Sequence, residues 1–259
     1  MKSIKEVKDI YKADVSSAKK EYREKLRQAK AEHIRRLDEF YLETGTPRPK
    51  DPPKRPLLQE IGNAVTHGLG AVFAIVSLIL MLVASDSPSE TVAACLYSGF
   101  MFITFTVSCL YHSFKYGTAV KRLFRRFDYS SIYLLIGATF APILLAYMGD
   151  TFGITFFIVQ WSIIAIGISL VAVFGPTRLR FIHIPLYVLL GWSALMLMPR
   201  MMDGAFPMAM WILAGGVVYS VGIIPYAIKY RASHFIWHFF VLAGAAVQWI
   251  GIYVYLYLK

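Results

Sequence analysis

A chain of 259 residues that is 57% apolar, 15% aromatic and only 17% charged lies far outside a soluble average, so most of it belongs in lipid and a soluble globular fold is excluded. The formal net charge of +11 is segregated, with 16 of the 27 Lys/Arg and 11 of the 16 Asp/Glu in residues 1–60. Basic segments beside a bilayer meet anionic headgroups, so this charge calls for no nucleic-acid partner, and membrane lipid is the expected one.

From Met1 to about Glu43, charges mix with Ile4, Val7, Ile10, Tyr11, Val15, Leu26, Ile34, Leu37 and Tyr41 at loosely helical spacing, without Pro or Gly. Residues 1–46 are therefore expected to form a charged, amphipathic helical tail. It reads as a segment that binds a partner or the membrane surface, or as a solvated extension. Gly45 and the prolines at 47, 49, 52, 53 and 56 break any helix and predict an extended linker over 47–57. The first apolar run begins only near Ile61, behind this long charged stretch, so it is expected to stay as a membrane anchor rather than be cleaved as a signal peptide.

Residues 58–259 hold seven apolar stretches long enough to cross roughly 30 Å of hydrocarbon, near 61–84, 90–113, 127–148, 152–174, 181–199, 207–228 and 234–258. The expected fold is an all-α membrane protein, a bundle of seven transmembrane helices. Lys115, Lys121, Arg122, Arg125 and Arg126 fall in the second loop, Arg178 and Arg180 in the fourth, and Lys229 and Arg231 in the sixth. The first and third loops have no Lys or Arg and the fifth only Arg200. The positive-inside rule then puts the N-terminus in the cytoplasm and Lys259 outside. The third and fourth spans are separated by little more than Gly149 and Asp150. Cys95 and Cys109 share the second span, roughly 20 Å apart along a helix, and cannot bridge each other. Gly215, Gly216 and Gly244 permit close helix packing and leave a homo-oligomer open.

Hydropathy and charge bring four distant residues to one depth. His112 ends the second span, Asp128 opens the third, and His234 and His238 open the seventh, all at the cytoplasmic face. The i, i+4 spacing of His234 and His238 stacks both rings on one helical face. Ionisable groups within spans are costly and turn inward to partners, so this convergence reads as a metal site. Three neutral imidazoles with an open fourth position are the usual ligand set of a catalytic zinc, and a carboxylate could orient or deprotonate water there. Ser108, one turn before His112, is either bonded back to its own helix or a donor to an oxyanion. Glu60, Asn63 and His67 recur at helical spacing as the first span opens, either supporting the site from behind or joining a packing network. His183, beside Pro185, reads as interfacial and solvated, and His33 as solvent-exposed.

These motifs resemble a known family. The Glu60-x-x-Asn63-x-x-Thr66-His67 opening, Ser108-x-x-x-His112, the Phe127-Asp128-Tyr129-Ser130-Ser131 run and His234-x-x-x-His238 are similar to those of the hemolysin III proteins, the bacterial branch of the progestin and adipoQ receptor family. The resemblance covers about residues 57–258. It implies a bacterial plasma-membrane protein with a cytoplasm-facing Zn2+ held by His112, His234 and His238, with Asp128 as the acidic residue contacting zinc-bound water and Ser108 as the hydroxyl beside it. The wider superfamily includes alkaline ceramidases, which hydrolyse a lipid amide with this arrangement.

Three functions follow as expectations. The first is a zinc-dependent hydrolase of a lipid amide or ester at the cytoplasmic leaflet, with Asp128 and Ser108 catalytic. The second is a sensor or regulator of membrane fluidity or energetics in which zinc staples the helices. The third is a pore-forming cytolysin, suggested by the family name and disfavoured by spans that carry no continuous charged pathway.

Overall fold

The computed structural model describes residues 4–44, 51–228 and 232–258. The chain divides into two compact units, Met1–Asp51 and Pro52–Lys259. Among its described residues the first unit holds one helix, α1 (Ile4–Thr44), whose 41 residues contain no Pro or Gly to interrupt it. Charged pairs one turn apart support it, among them Lys25–Glu21 at 2.6 Å and the Glu32 carboxylate, which accepts from Arg35 and Arg36 at 3.0 Å. Those guanidinium hydrogen bonds lower the Glu32 carboxyl to about 2. Gly45, Pro47 and Pro49 of the expected linker lie outside the described residues, and the non-helical stretch that follows ends at Pro56, which precedes the next helix with extended backbone.

Seven helices of the second unit are long and apolar enough to cross a membrane: α2 (Leu57–Val83), α3 (Pro88–Ser113), α4 (Ala119–Met148), α5 (Thr151–Phe174), α6 (Arg180–Met201), α7 (Phe206–Ile228) and α8 (Ser233–Tyr257). The shortest, at 22 residues, reaches about 33 Å. The molecule is a multi-pass membrane protein.

Local chemistry sets the breaks between spans. Ser87 accepts from the Glu90 amide at 3.2 Å, with Pro88 in the first turn of α3. The α4–α5 connection is only Gly149 and Asp150. Gly149 takes the left-handed backbone (φ 59°) that ends α4, and Asp150 caps α5 by accepting from the Gly153 amide at 2.8 Å. One expectation needs correcting: Lys121, Arg122, Arg125 and Arg126 are not in a loop but in the first two turns of α4. The Thr118 hydroxyl accepts from the Lys121 amide at 3.2 Å and starts the helix early, and Lys121 and Arg125 turn inward and are buried. Lys229 and Arg231 lie outside the described residues.

The bundle closes by packing α2 against both α3 and α8, α3 against α4, and α7 against α8. Its main core gathers Tyr97, Met101, Phe105, Leu144, Leu197, Met201 and Ile252. The α7–α8 approach depends on glycine: a Cβ on Gly244 would sit 2.9 Å from the Tyr219 ring, and one on Gly215 would sit 3.0 Å from the Gly244 carbonyl oxygen. At one end of the bundle Asp150 pairs with Arg200, whose guanidinium lies over the Phe152 ring at 4.1 Å. The other end brings together the start of α2, the end of α3 and the starts of α4 and α8, and there the polar residues collect.

Candidate metal centre

His112 sits in the last turn of α3, and His234 and His238 occupy successive turns at the start of α8. Their Nε2 atoms face one another: His234 is 3.3 Å from His112 and 3.3 Å from His238, and the potential ligand atoms of all three lie within 4.8 Å. Bonds of about 2.0–2.1 Å from a metal to nitrogen at tetrahedral angles put neighbouring nitrogens roughly 3.3 Å apart. Two of the three nitrogen pairs in the triad have that spacing, and the third lies within 4.8 Å.

The far sides of the rings decide which nitrogen is free. Glu60 Oε2 lies 2.5 Å from His112 Nδ1, and the Asn63 amide nitrogen is 3.3 Å from the same atom. A proton on Nδ1 donated to the carboxylate leaves the Nε2 lone pair aimed at the centre, the arrangement in which a carboxylate orients a metal-ligating histidine. Glu60 is itself held by Lys121, whose ammonium donates to Oε1 at 3.0 Å and to the Phe114 carbonyl at 3.0 Å. Thr66 donates its hydroxyl to the Gly62 and Asn63 carbonyls and lies 3.5 Å from His238 Nδ1, leaving an oxygen lone pair for that ring's proton. With two protons committed outward, two bare lone pairs face a third ring across 3.3 Å. One cation would satisfy all three, so the side chains fit a metal ion.

Asp128 and Ser108 stand beside this group rather than in it. Ser108 and Asp128 both line the same cavity as His234 and His238. His67 also sits apart: its ring stacks on His238 with centroids 3.7 Å apart and planes 16° off parallel, and neither of its nitrogens has a partner among the described residues. Stacking of this kind holds the His238 ring in place; it is not ligation. Asn63 and Glu60 lie behind His112, as described.

The cavity measures about 190 Å³ and beyond its polar end is lined mainly by apolar side chains. It runs from His234 and Asp128 past Ile132, Ile136 and Ile212 to Gln248, about 21 Å along α8 given 14 residues of rise. Tyr129, Tyr187 and Tyr226 form a collar near Asp128, with Tyr129 and Tyr226 hydroxyls 3.1 Å apart and the Tyr187 hydroxyl donating to the Tyr129 carbonyl at 2.8 Å.

Residues 56–249 match the family described as Haemolysin-III related, a stretch that takes in Glu60, Asp128 and all three histidines. The chain belongs to that family. Its relatives include Hemolysin-3 of Bacillus cereus, 33% identical over 205 residues covering 76% of this chain and 91% of that protein, and the Hemolysin-3 homolog of Bacillus subtilis, 30% identical over 205 residues covering 76% and 94%. The monocyte to macrophage differentiation factor of Homo sapiens is 30% identical over 215 residues, 77% of this chain and 85% of that protein. Helix α1 lies outside the haemolysin-III match.

Two contacts at the site escaped the sequence reading, Lys121 with Glu60 and Thr66 with His238. Lys121 was assigned to a loop, yet it lies two turns before Asp128 on the same helix, and that spacing was the available signal. Thr66 follows Asn63 by three residues and so belongs to the polar face already noted on α2. His183 needs correction: it is not solvated but buried, 1% exposed, and hydrogen-bonded to the Tyr133 hydroxyl at 2.9 Å, away from the triad. Its partner comes from α4, 50 residues away, so no local pattern revealed it. His33 is exposed, as expected.

Proposed function

We propose that this haemolysin-III protein is a zinc-dependent hydrolase of a lipid amide or ester, working from the cytoplasmic leaflet. The observation that carries the reading is the convergence of three imidazole nitrogens at the polar end of a long apolar cavity whose wall also presents a carboxyl and a hydroxyl. His112, His234 and His238 would hold the ion, and an all-imidazole donor set suits zinc. Zinc bound there supplies Lewis acidity that makes water a nucleophile near neutral pH. Asp128 accepts the proton of the attacking water at its carboxylate and hands it to the departing amine or alcohol as the acyl C–N or C–O bond breaks, and Ser108 donates its hydroxyl to the oxyanion developing on the acyl carbonyl. The apolar cavity seats an acyl chain and excludes bulk water from the reacting carbonyl. Support for the cytoplasmic assignment is the basic cluster of Lys115, Arg122, Arg125 and Arg126 at the triad end, against Asp86, Asp150 and Asp203 at the other.

The test is metal content by plasma mass spectrometry on purified full-length protein, followed by turnover against a panel of ceramides and phospholipids. Wild type should carry about one zinc per chain and a His234→Ala/His238→Ala variant none. Asp128→Asn should keep the zinc and lose about 10²–10⁴-fold in turnover. Full turnover in Asp128→Asn would sink the mechanism. A second reading, zinc as a staple in a regulator of membrane state, is favoured by the chain of contacts from Lys121 through Glu60 to His112, which joins α4, α2 and α3 before the triad reaches α8. Stoichiometric zinc with no product from any lipid would select it.

A further inference from the structure

Helix α1 contains an 11-residue repeat that runs its whole length. Starting at Ile4, Val15, Leu26 and Leu37, each repeat places a second small or apolar residue three positions on (Val7, Ala18, Ala29, Phe40), and the position four further is aromatic in the first two repeats (Tyr11, Tyr22) and polar in the last two (His33, Thr44). Eleven residues make three turns at 3.67 residues per turn, a period that keeps one stripe facing one direction along a nearly straight helix with slight right-handed supercoil. The stripe is bare: Tyr11 is 70% exposed, Tyr22 68% and Phe40 53%.

Its two edges differ in charge. One edge carries Lys8, Lys12, Lys19, Arg23 and Lys30 and no acid; the other carries Asp14, Glu21, Glu32 and Glu43, with Lys25 and Arg36 as the only bases. Lys25 and Arg36 pair with Glu21 and Glu32 one turn away on the same helix, which leaves four acids against two bases, a net acidic edge. In a two-fold pair of parallel helices each edge faces the opposite edge of its partner, so the basic edge meets the acidic one. An antiparallel pair would set base against base. A surface-lying helix is expected to be rich in Lys/Arg, but Ile4–Thr44 is nearly balanced at 11 basic and 9 acidic residues.

We propose that α1 is a self-association surface, and that two copies of this chain in one membrane pair through it as a parallel, in-register coiled coil. Both copies enter the same bilayer from the same side, so both helices end at the same face, as parallel pairing requires. The stripe is sparse, with Ala18 and Ala29 giving close approach rather than bulk, and the pairing is driven by the high effective concentration of chains confined to two dimensions.

The experiment uses full-length protein in phosphatidylcholine proteoliposomes, in a Cys95→Ser/Cys109→Ser background, with single cysteines oxidised to disulfide. Ala18→Cys and Ala29→Cys, on the stripe, should form covalent dimers at least about tenfold faster than Ser17→Cys and Gln28→Cys on the far face. Lys8→Glu/Lys19→Glu/Lys30→Glu should abolish that advantage, and adding Asp14→Lys/Glu21→Lys/Glu32→Lys/Glu43→Lys should restore it, a rescue that only parallel pairing gives. Equal rates at all four positions overturn the proposal, as does indifference to the charge reversal. Monomeric Ala18→Cys and Ala29→Cys, shielded from aqueous maleimide only when phosphatidylglycerol is added, would overturn it in favour of a helix lying on anionic lipid.

Discussion

Glu60 divides its carboxylate between a buried ammonium and an imidazole, Lys121 on Oε1 and His112 on Oε2. A glutamine there keeps the shape but must turn its NH2 toward one partner that itself donates, so Glu60→Gln should loosen the His112 ring and weaken metal binding by about 10–100-fold while the bundle stays folded. Chelator competition on the purified protein measures this; unchanged affinity would show that the carboxylate does not orient the ligand. His67→Phe, by contrast, preserves a ring against His238 and should leave the metal stoichiometry at one per chain. The triad and Asp128 were legible in the sequence because all four sit at helix ends, where hydropathy alone fixes depth. The partition of roles was not. Which residues ligate and which stand behind depends on side-chain direction across α2, α3, α4 and α8, and a linear pattern carries no information on that.

At the level of the helix, the span count was readable from apolar runs, whereas the start of α4 was not, because its first two turns are basic and look like a loop until Lys121 and Arg125 are seen to bury inward. The α7–α8 contact makes a quantitative claim. Gly244→Val forces a side chain into the Tyr219 ring and should cost about 1–3 kcal/mol by overpacking, whereas Gly99→Val, with nothing within 4 Å of its Cβ, should be close to neutral. Thermal unfolding in detergent compares the two, and equal shifts would mean that α7 and α8 do not approach as described. The α4–α5 turn adds a pH signature. The Gly153 amide and then the Arg200 guanidinium hold the Asp150 carboxyl below its ordinary value of 3.8. A depressed carboxyl contributes stability that is fully present above the unfolded value and is lost as pH falls through the folded one. Wild type should therefore lose melting temperature on acidification below about pH 4 more steeply than Asp150→Asn, which keeps the cap on α5 but has no charge to protonate.

On the scale of the whole molecule, charge asymmetry ties the orientation of the bundle to the chemistry of its cavity. The triad end carries Lys115, Lys121, Arg122, Arg125 and Arg126, and the far end is marked by the Asp150–Arg200 pair and Asp203. Under the proposed function, a cytoplasmic basic end would let the triad draw on the intracellular metal pool and the cavity take lipid from the inner leaflet; an external basic end would reverse both assignments together. Two reporters in a cysteine-free background separate these cases: Ser16→Cys on α1, and Asp203→Cys in the short connection between α6 and α7, both exposed. In intact cells a membrane-impermeant maleimide should label Asp203→Cys at once and Ser16→Cys only after permeabilisation. The opposite pattern would move the histidine triad to the outer face and remove the inner leaflet as the proposed source of substrate. Because the triad and Asp128 share one end of the bundle and Asp203 lies at the other, the location of Asp203 fixes both.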